Sequence, residues 1–272
     1  MLFIDIVLFI IVMLVTGILY PVMGYRQSKK RDTKSGDNDK TEWYLSSIVS
    51  SWIPTIVILA ATILNGHSLK DLGFTLKLPG EPGYLFYIAL ALSAIYLGYN
   101  IYVILLFRFN KQERIKHLDK IPSEYKFLLP SNRKERVMWR LLAITAGVTE
   151  EFIYRGYLFF ALFLIFPEIS PVWVILISSL LFSIGHIYQG KDVWKPATAG
   201  LFLSAVYYIT GTIYIVIILH IIQDLVVGEL NSKESKISEE NHFPIAVEEA
   251  AETASDEIVA ESAMQKSNVT EP

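Results

Sequence analysis

Apolar residues in this chain gather into long runs, with the polar and charged residues collected between them, rather than alternating at the period of a surface helix or strand. Seven runs are long enough, or nearly so, to cross about 30 Å of hydrocarbon as helices. They are Leu2–Met23, Tyr44–Leu64, Tyr84–Phe107, Val137–Phe166, Pro171–Ile187, Pro196–Ile209 and Thr212–Leu230. The last three are short, which buried helices tolerate. The expected fold is an all-α polytopic transmembrane helix bundle of about seven spans. Composition agrees: 53% of the 272 residues are hydrophobic and 19% charged, as in membrane proteins.

Charge between the runs gives the orientation, because basic loops stay on the cytoplasmic side. Residues Tyr25 to Glu42 hold six Lys or Arg and Arg108 to Arg136 hold nine, whereas Asn65 to Gly83 has two and Pro167 to Ser170 none. Lys191 and Lys195 fall on the basic side as well. The alternation predicts the N-terminus outside and the C-terminus inside. No Lys or Arg precedes the first run, so it reads as a retained helix rather than a secretion signal. Trp43, Trp139 and Trp194 fall where interfacial aromatic anchors belong. Leu118, Ile121, Phe127, Leu128 and Leu129 among the charges of Arg108–Arg136 suit either an amphipathic element in the headgroup plane or a solvated basic loop. From Asn231 the chain carries ten acidic and three basic residues and few large apolar ones, the composition of a disordered acidic tail. Three regions are expected: helices and basic loops over 1–136, helices carrying the chemistry over 137–230, and the cytoplasmic tail over 231–272.

One run breaks the apolar rule. Thr149-Glu150-Glu151-Phe152-Ile153-Tyr154-Arg155-Gly156 puts three ionisable groups in the middle of the fourth. Each costs about 2.5–3.5 kcal/mol at the centre of a spanning helix, so they are expected to face a polar interior and to be functional. Glu151 and Arg155 are four apart and can pair along one face, while Glu150 points about 100° away and stays free. Ala146 and Gly147, one turn earlier, let a neighbouring helix or a substrate approach closely. Two later runs contribute His186, then His220 and Asp224 four residues apart. At about 1.5 Å per residue, Glu150 and His220 both lie roughly 15 Å from the cytoplasmic interface, with His186 and Asp224 nearer to it. All can meet in one cavity.

A buried glutamate serves as general base or acid, and a histidine within reach helps hold a water. A second histidine and a hydrogen-bonding partner can stabilise a tetrahedral oxyanion. Glu150, His186, His220 and Asp224 can equally hold a divalent metal such as zinc. With no cysteine, a thiol nucleophile and thiolate metal sites are excluded. The chain also lacks a His-Glu-x-x-His pair and a serine in a nucleophile-elbow context. His67, His117 and His242 lie outside the apolar runs and carry no expected role.

Glu150-Glu151-x-x-x-Arg155, Phe182-x-x-x-His186 and His220-x-x-x-Asp224 resemble, in order and spacing, the three boxes of the CPBP intramembrane proteases. That family includes the type II CAAX prenyl proteases and bacteriocin-processing or immunity proteins. The resemblance covers Arg140 to Leu230, and Leu69-Lys70-Asp71-Leu72-Gly73-Phe74 is similar to a stretch often seen upstream. It implies an endopeptidase in which Glu150 activates water with His186 assisting. Glu151 and Arg155 would order the site, and His220 and Asp224 would stabilise the tetrahedral intermediate or orient its ligand. The last box often ends in Asn; as Asp, residue 224 donates only when protonated, or else orients His220. Metal-dependent and metal-free mechanisms are both consistent with the boxes. Expected partners are a peptide or lipidated protein substrate and the lipid bilayer, with no nucleic acid, and the expected location is a bacterial plasma membrane. The alternative is a non-catalytic membrane protein that binds a peptide or partner, as in bacteriocin immunity. A proton-coupled transporter is disfavoured, since no inverted repeat is visible.

Overall fold

A computed structural model describes residues 2–31, 38–76, 82–121, 126 and 128–230, and among these the secondary structure is helical throughout. The expected acidic tail at 231–272 lies outside the described residues, as does Phe127. Helix α1 (Leu2–Leu14) runs through a π-helical turn (Val15–Leu19) into α2 (Tyr20–Arg31). Then follow α3 (Asn38–Leu64), α4 (Tyr84–Phe109) and the short α5 (Lys111–Leu118). Helix α6 (Arg133–Glu151) passes through a second π turn (Phe152–Tyr157) into α7 (Leu158–Ile165). Helix α8 (Pro171–Gly185), a 3₁₀ turn (Ile187–Val193), α9 (Trp194–Thr210) and α10 (Ile213–Glu229) complete it.

Among the described residues, three helices are long and apolar enough to cross a membrane: Leu2–Arg26, Lys40–Leu64 and Tyr84–Phe109. Pro171–Gly185 and Ile187–Thr210 meet that measure only together, with a bend of 112° between them, so the number rises to four at most. The other expected runs also form helices. Yet α10 has only 17 residues, and the α6–α7 helix carries Glu150, Glu151 and Arg155 near its middle. The stretch that carries those charges lies in the interior. Every residue from Phe152 to Phe159 is buried, and Glu151 and Arg155 have no exposed surface, which keeps their charges away from lipid. The outer helices turn Ile53, Ile56, Val57, Tyr87, Ile95 and Tyr102 outward, an apolar belt suited to acyl chains. Hydroxyls inside the bundle donate to carbonyls four residues back on their own helices, as in Thr16 to Val12, Thr62 to Ile58, Ser93 to Ala89 and Thr210 to Val206. That keeps them satisfied without water.

Three local devices fix how the central helix sits. Its start is a reciprocal cap: Asn132 accepts from the Glu135 N–H at 2.9 Å, and its amide donates back to Glu135 Oε1 at 2.6 Å. Burial alone would raise the Glu135 carboxyl. The Ser131 N–H and hydroxyl, with Lys40 nearby, outweigh burial and hold it below the usual carboxylate range. Second, the segment after α3 wedges against the far end of the bundle. Gly73, at φ 78°, turns its carbonyl to accept from the Ile213 N–H at 3.0 Å, which caps α10. The Leu72 carbonyl lies 3.0 Å from where a Cβ at Gly156 would sit, so a side chain there would press on the Leu72 backbone. Third, Asp5 of α1 is buried and accepts from Asn65 Nδ2 at 2.7 Å, with His67 Nε2 at 3.0 Å. His67, which had no expected role, thus helps tie the first helix to the end of α3.

Nearer the basic loops, α5 turns Leu118 onto Phe107, Leu129 and Leu230. Of the two expectations for Arg108–Arg136, an amphipathic element fits this part, although it seals helix ends.

Candidate active site

The ionisable residues singled out from the sequence meet around Glu150. Helix α6 delivers Glu150 and Glu151 immediately before the π turn, a wide turn often found at functional sites. Helix α8 ends at His186, whose backbone leaves the helical region at φ −103° and ψ 12°. Helix α10 supplies His220 and Asp224 one turn apart.

Glu151 is the fixed centre of the buried part. Its Oε1 accepts from Arg155 Nη1 at 2.8 Å, as the spacing predicts, and from His220 Nδ1 at 2.6 Å. Arg155 Nη2 donates to the Gly200 carbonyl at 3.1 Å and Nε to Ser204 Oγ at 3.3 Å. Its guanidinium also lies 4.6 Å above the Phe182 ring. Three helices are joined through this one cation.

Glu150 occupies the open part. Its side chain is 28% exposed and that of Asp224 31%, against 0% for Glu151 and Arg155. Glu150 Oε2 is 3.9 Å from His220 Nε2 and 4.0 Å from His186 Nε2, and makes no hydrogen bond. These separations are too long for direct bonds and suited to one bridging water. His186 Nδ1 lies 2.8 Å from the Phe182 carbonyl, an acceptor only, so the proton belongs on Nδ1. The same logic puts a proton on His220 Nδ1, facing Glu151. Each ring turns its Nε2 toward Glu150.

Asp224 Oδ2 is 3.7 Å from His220 Nε2, so the ring is anchored by Glu151 and not by its neighbour one turn on. Trp139 donates to the Asp224 backbone carbonyl at 3.0 Å and packs against Gly228. It therefore latches α6 to α10, beyond the interfacial role read from sequence. Tyr96 of α4 donates to Gln223, beside Asp224. Phe182 packs under the site, between Tyr154, His186 and His220. Gly200 and Ser204 were missed from the sequence. Their one signal is that two small residues sit a helical turn apart in an apolar run, a pattern shared with many packing faces.

Among the described residues, no group of three or more His, Asp or Glu side chains is arranged to hold a metal ion.

A Cβ at Gly147 would collide with the Ile221 side chain, and would lie 3.1 Å from its backbone nitrogen and 3.3 Å from the Ile217 carbonyl. The neighbouring helix, one residue from His220, uses the approach that this glycine leaves. Gly147→Ala is expected to push α10 outward and cost about 1–3 kcal/mol by overpacking. A lowered melting temperature in detergent, with weaker peptide cleavage, is the expected readout.

Residues 132–226, about a third of the chain, match the family described as Type II CAAX prenyl endopeptidase Rce1-like. No curated protein and no solved structure matches the chain. The matched stretch runs from the cap of α6 to the last turns of α10 and so contains Glu150, Glu151, Arg155, His186, His220 and Asp224. The segment similar to this prenyl endopeptidase family thus lies at the centre of an all-helical bundle with membrane-length apolar helices.

Proposed function

We propose that the protein is an endopeptidase that hydrolyses a peptide bond of a membrane-associated peptide or lipidated protein, using water activated by Glu150 and the two histidines. The observation that carries this reading is the convergence of Glu150 Oε2 with the Nε2 atoms of His186 and His220, at 4.0 and 3.9 Å. These three atoms come from three helices and face one gap, where a water can donate to Glu150 while keeping a lone pair for attack. As its oxygen bonds to the scissile carbonyl carbon, a proton passes to Glu150 and the C=O π electrons move onto oxygen. When the C–N bond breaks, that proton goes to the leaving nitrogen. Glu151 orients His220, and Arg155 offsets the buried charge of Glu151. Cleavage in ¹⁸O-labelled water tests the reaction: one ¹⁸O in the new C-terminal carboxyl of a peptide cut in proteoliposomes is expected. A peptide bound but never cut would favour the non-catalytic alternative.

Position 224 then donates a hydrogen bond to the oxyanion, which a carboxyl does only while protonated. Asp224→Asn supplies a permanent amide donor and is expected to preserve or raise cleavage at neutral pH. The measurement is cleavage by both proteins across pH, with and without a chelator. A folded but inactive Asp224→Asn protein rejects the donor role. Inhibition of the parent by chelator would assign Glu150, His186, His220 and Asp224 to a cation instead.

The proposed topology has seven spans in a bacterial plasma membrane, with the N-terminus outside and the acidic tail inside. It rests on the basic stretches 26–40 and 108–136. A reporter active only in the cytoplasm, fused after Asn231, is expected to give signal, and silence there would overturn the count.

A further inference from the structure

The groups gathered at the open part of the site are mostly acceptors, whereas hydrolysis creates an oxyanion that needs donors. One unused donor comes from outside the family-matched segment. Tyr20, at the start of α2, has a buried hydroxyl with no hydrogen-bond partner. Leaving a buried hydroxyl unpaired is costly, which favours a ligand that satisfies it.

Two glycines show what this phenol faces. A Cβ at Gly17 would touch Leu181 of α8 at 3.4 Å, and one at Gly24 would touch Tyr188, just after His186, at 3.2 Å. Tyr20 lies between these contacts, one helical turn before Gly24, so it is carried toward the stretch between Leu181 and Tyr188. That stretch contains Gly185, which lies against the Tyr154 hydroxyl, and His186. Tyr154 is one turn from Glu150 on the central helix. The Tyr20 phenol interacts electrostatically with both the Glu150 carboxylate and Tyr154. Backbone packing and charge therefore bring it toward the side of the proposed water site lined by His186 and Tyr154.

We propose that Tyr20 is a further catalytic residue, whose hydroxyl donates a hydrogen bond to the scissile carbonyl oxygen as that oxygen becomes an oxyanion. This rests on the hydrolytic reading above. The phenol transfers no proton; it stays O–H throughout and complements position 224, which donates only when protonated or amidated. The first helix thereby becomes part of the active site.

The test uses the full chain in proteoliposomes and a farnesylated CAAX peptide carrying a fluorophore and quencher. Tyr20→Phe keeps the ring and its packing, and folding is checked by melting temperature. Loss of a single oxyanion donor costs about 10²–10³ in kcat. A fall in kcat of about tenfold or more with KM unchanged supports the assignment, and a smaller fall overturns it. A second arm does not depend on cleavage. Photo-crosslinkable benzoylphenylalanine is placed at position 20 in the Glu150→Gln protein, and the same peptide is added. Crosslinking to the residues flanking the CAAX cleavage position, competed by unlabelled peptide, supports Tyr20 at the peptide bond, and its absence overturns the proposal. Should the parent protein cut no peptide while the crosslink forms, the hydrolytic reading fails and the Tyr20 contact stands.

Discussion

Glu150→Gln is expected to abolish peptide cleavage, by at least about 10²–10⁴-fold, while expression, detergent extraction and melting temperature stay near those of the parent. The amide has nearly the shape of the carboxylate but cannot take a proton from water. Glu150 Oε2 faces two imidazole Nε2 atoms across gaps of 3.9 and 4.0 Å and makes no hydrogen bond, so replacing it breaks none. Loss of function without loss of fold follows from that geometry. Near-normal turnover by purified Glu150→Gln protein would falsify water activation by this residue.

Arg155→Ala is expected to lower stability and activity together. Its guanidinium is fully buried and holds Glu151, the Gly200 carbonyl and Ser204 at once. Removing one partner of a buried pair strands the other charge, at roughly 3–5 kcal/mol. The stranded group here is Glu151, which also anchors His220 Nδ1, so the damage reaches the water site through one carboxylate. Arg155→Lys should fall between, since an ammonium can reach Glu151 but lacks the planar fork needed for Gly200 and Ser204 together. Melting temperature and cleavage rate measured on the same preparations check this. Parent-like values for Arg155→Ala would mean that the ion pair carries little.

Lipid makes the helices legible. A segment in hydrocarbon must satisfy its backbone internally, so each apolar run could be read as a helix with its ends nearly right. The i, i+4 pairing of Glu151 with Arg155 was legible for the same reason, since helix geometry alone fixes it. What could not be read were contacts set by how helices pack. His220 and Glu151 are 69 residues apart, and nothing in either local sequence selects Glu151 over Asp224 as the partner of that ring. The π turns at Val15–Leu19 and Phe152–Tyr157 were equally invisible: each holds a glycine, Gly17 or Gly156, but a glycine within an apolar run does not by itself mark a π turn. Trp139 looked like an interfacial anchor since Trp is common there, and only the neighbouring helix reveals its bond to Asp224. The expected span count and the helices that qualify part most where a run is charged or short, as in the α6–α7 helix and the 17-residue α10.

The wedge formed by Leu72 and Gly73 bears on how this protein can be divided. A division at 136/137 separates the helices that carry the chemistry from those before them, yet it parts the Gly73 carbonyl from the Ile213 N–H and Leu72 from Gly156. Trp52, which donates to Thr145 at 3.2 Å, and Tyr96, which donates to Gln223, would be severed as well. A gene fragment encoding only the family segment would begin with several interhelical faces stripped bare. Chimeras between relatives face the same rule: a donor's central helices must travel with its own residues 69–74, or with a recipient loop that offers the same two carbonyls at the same height.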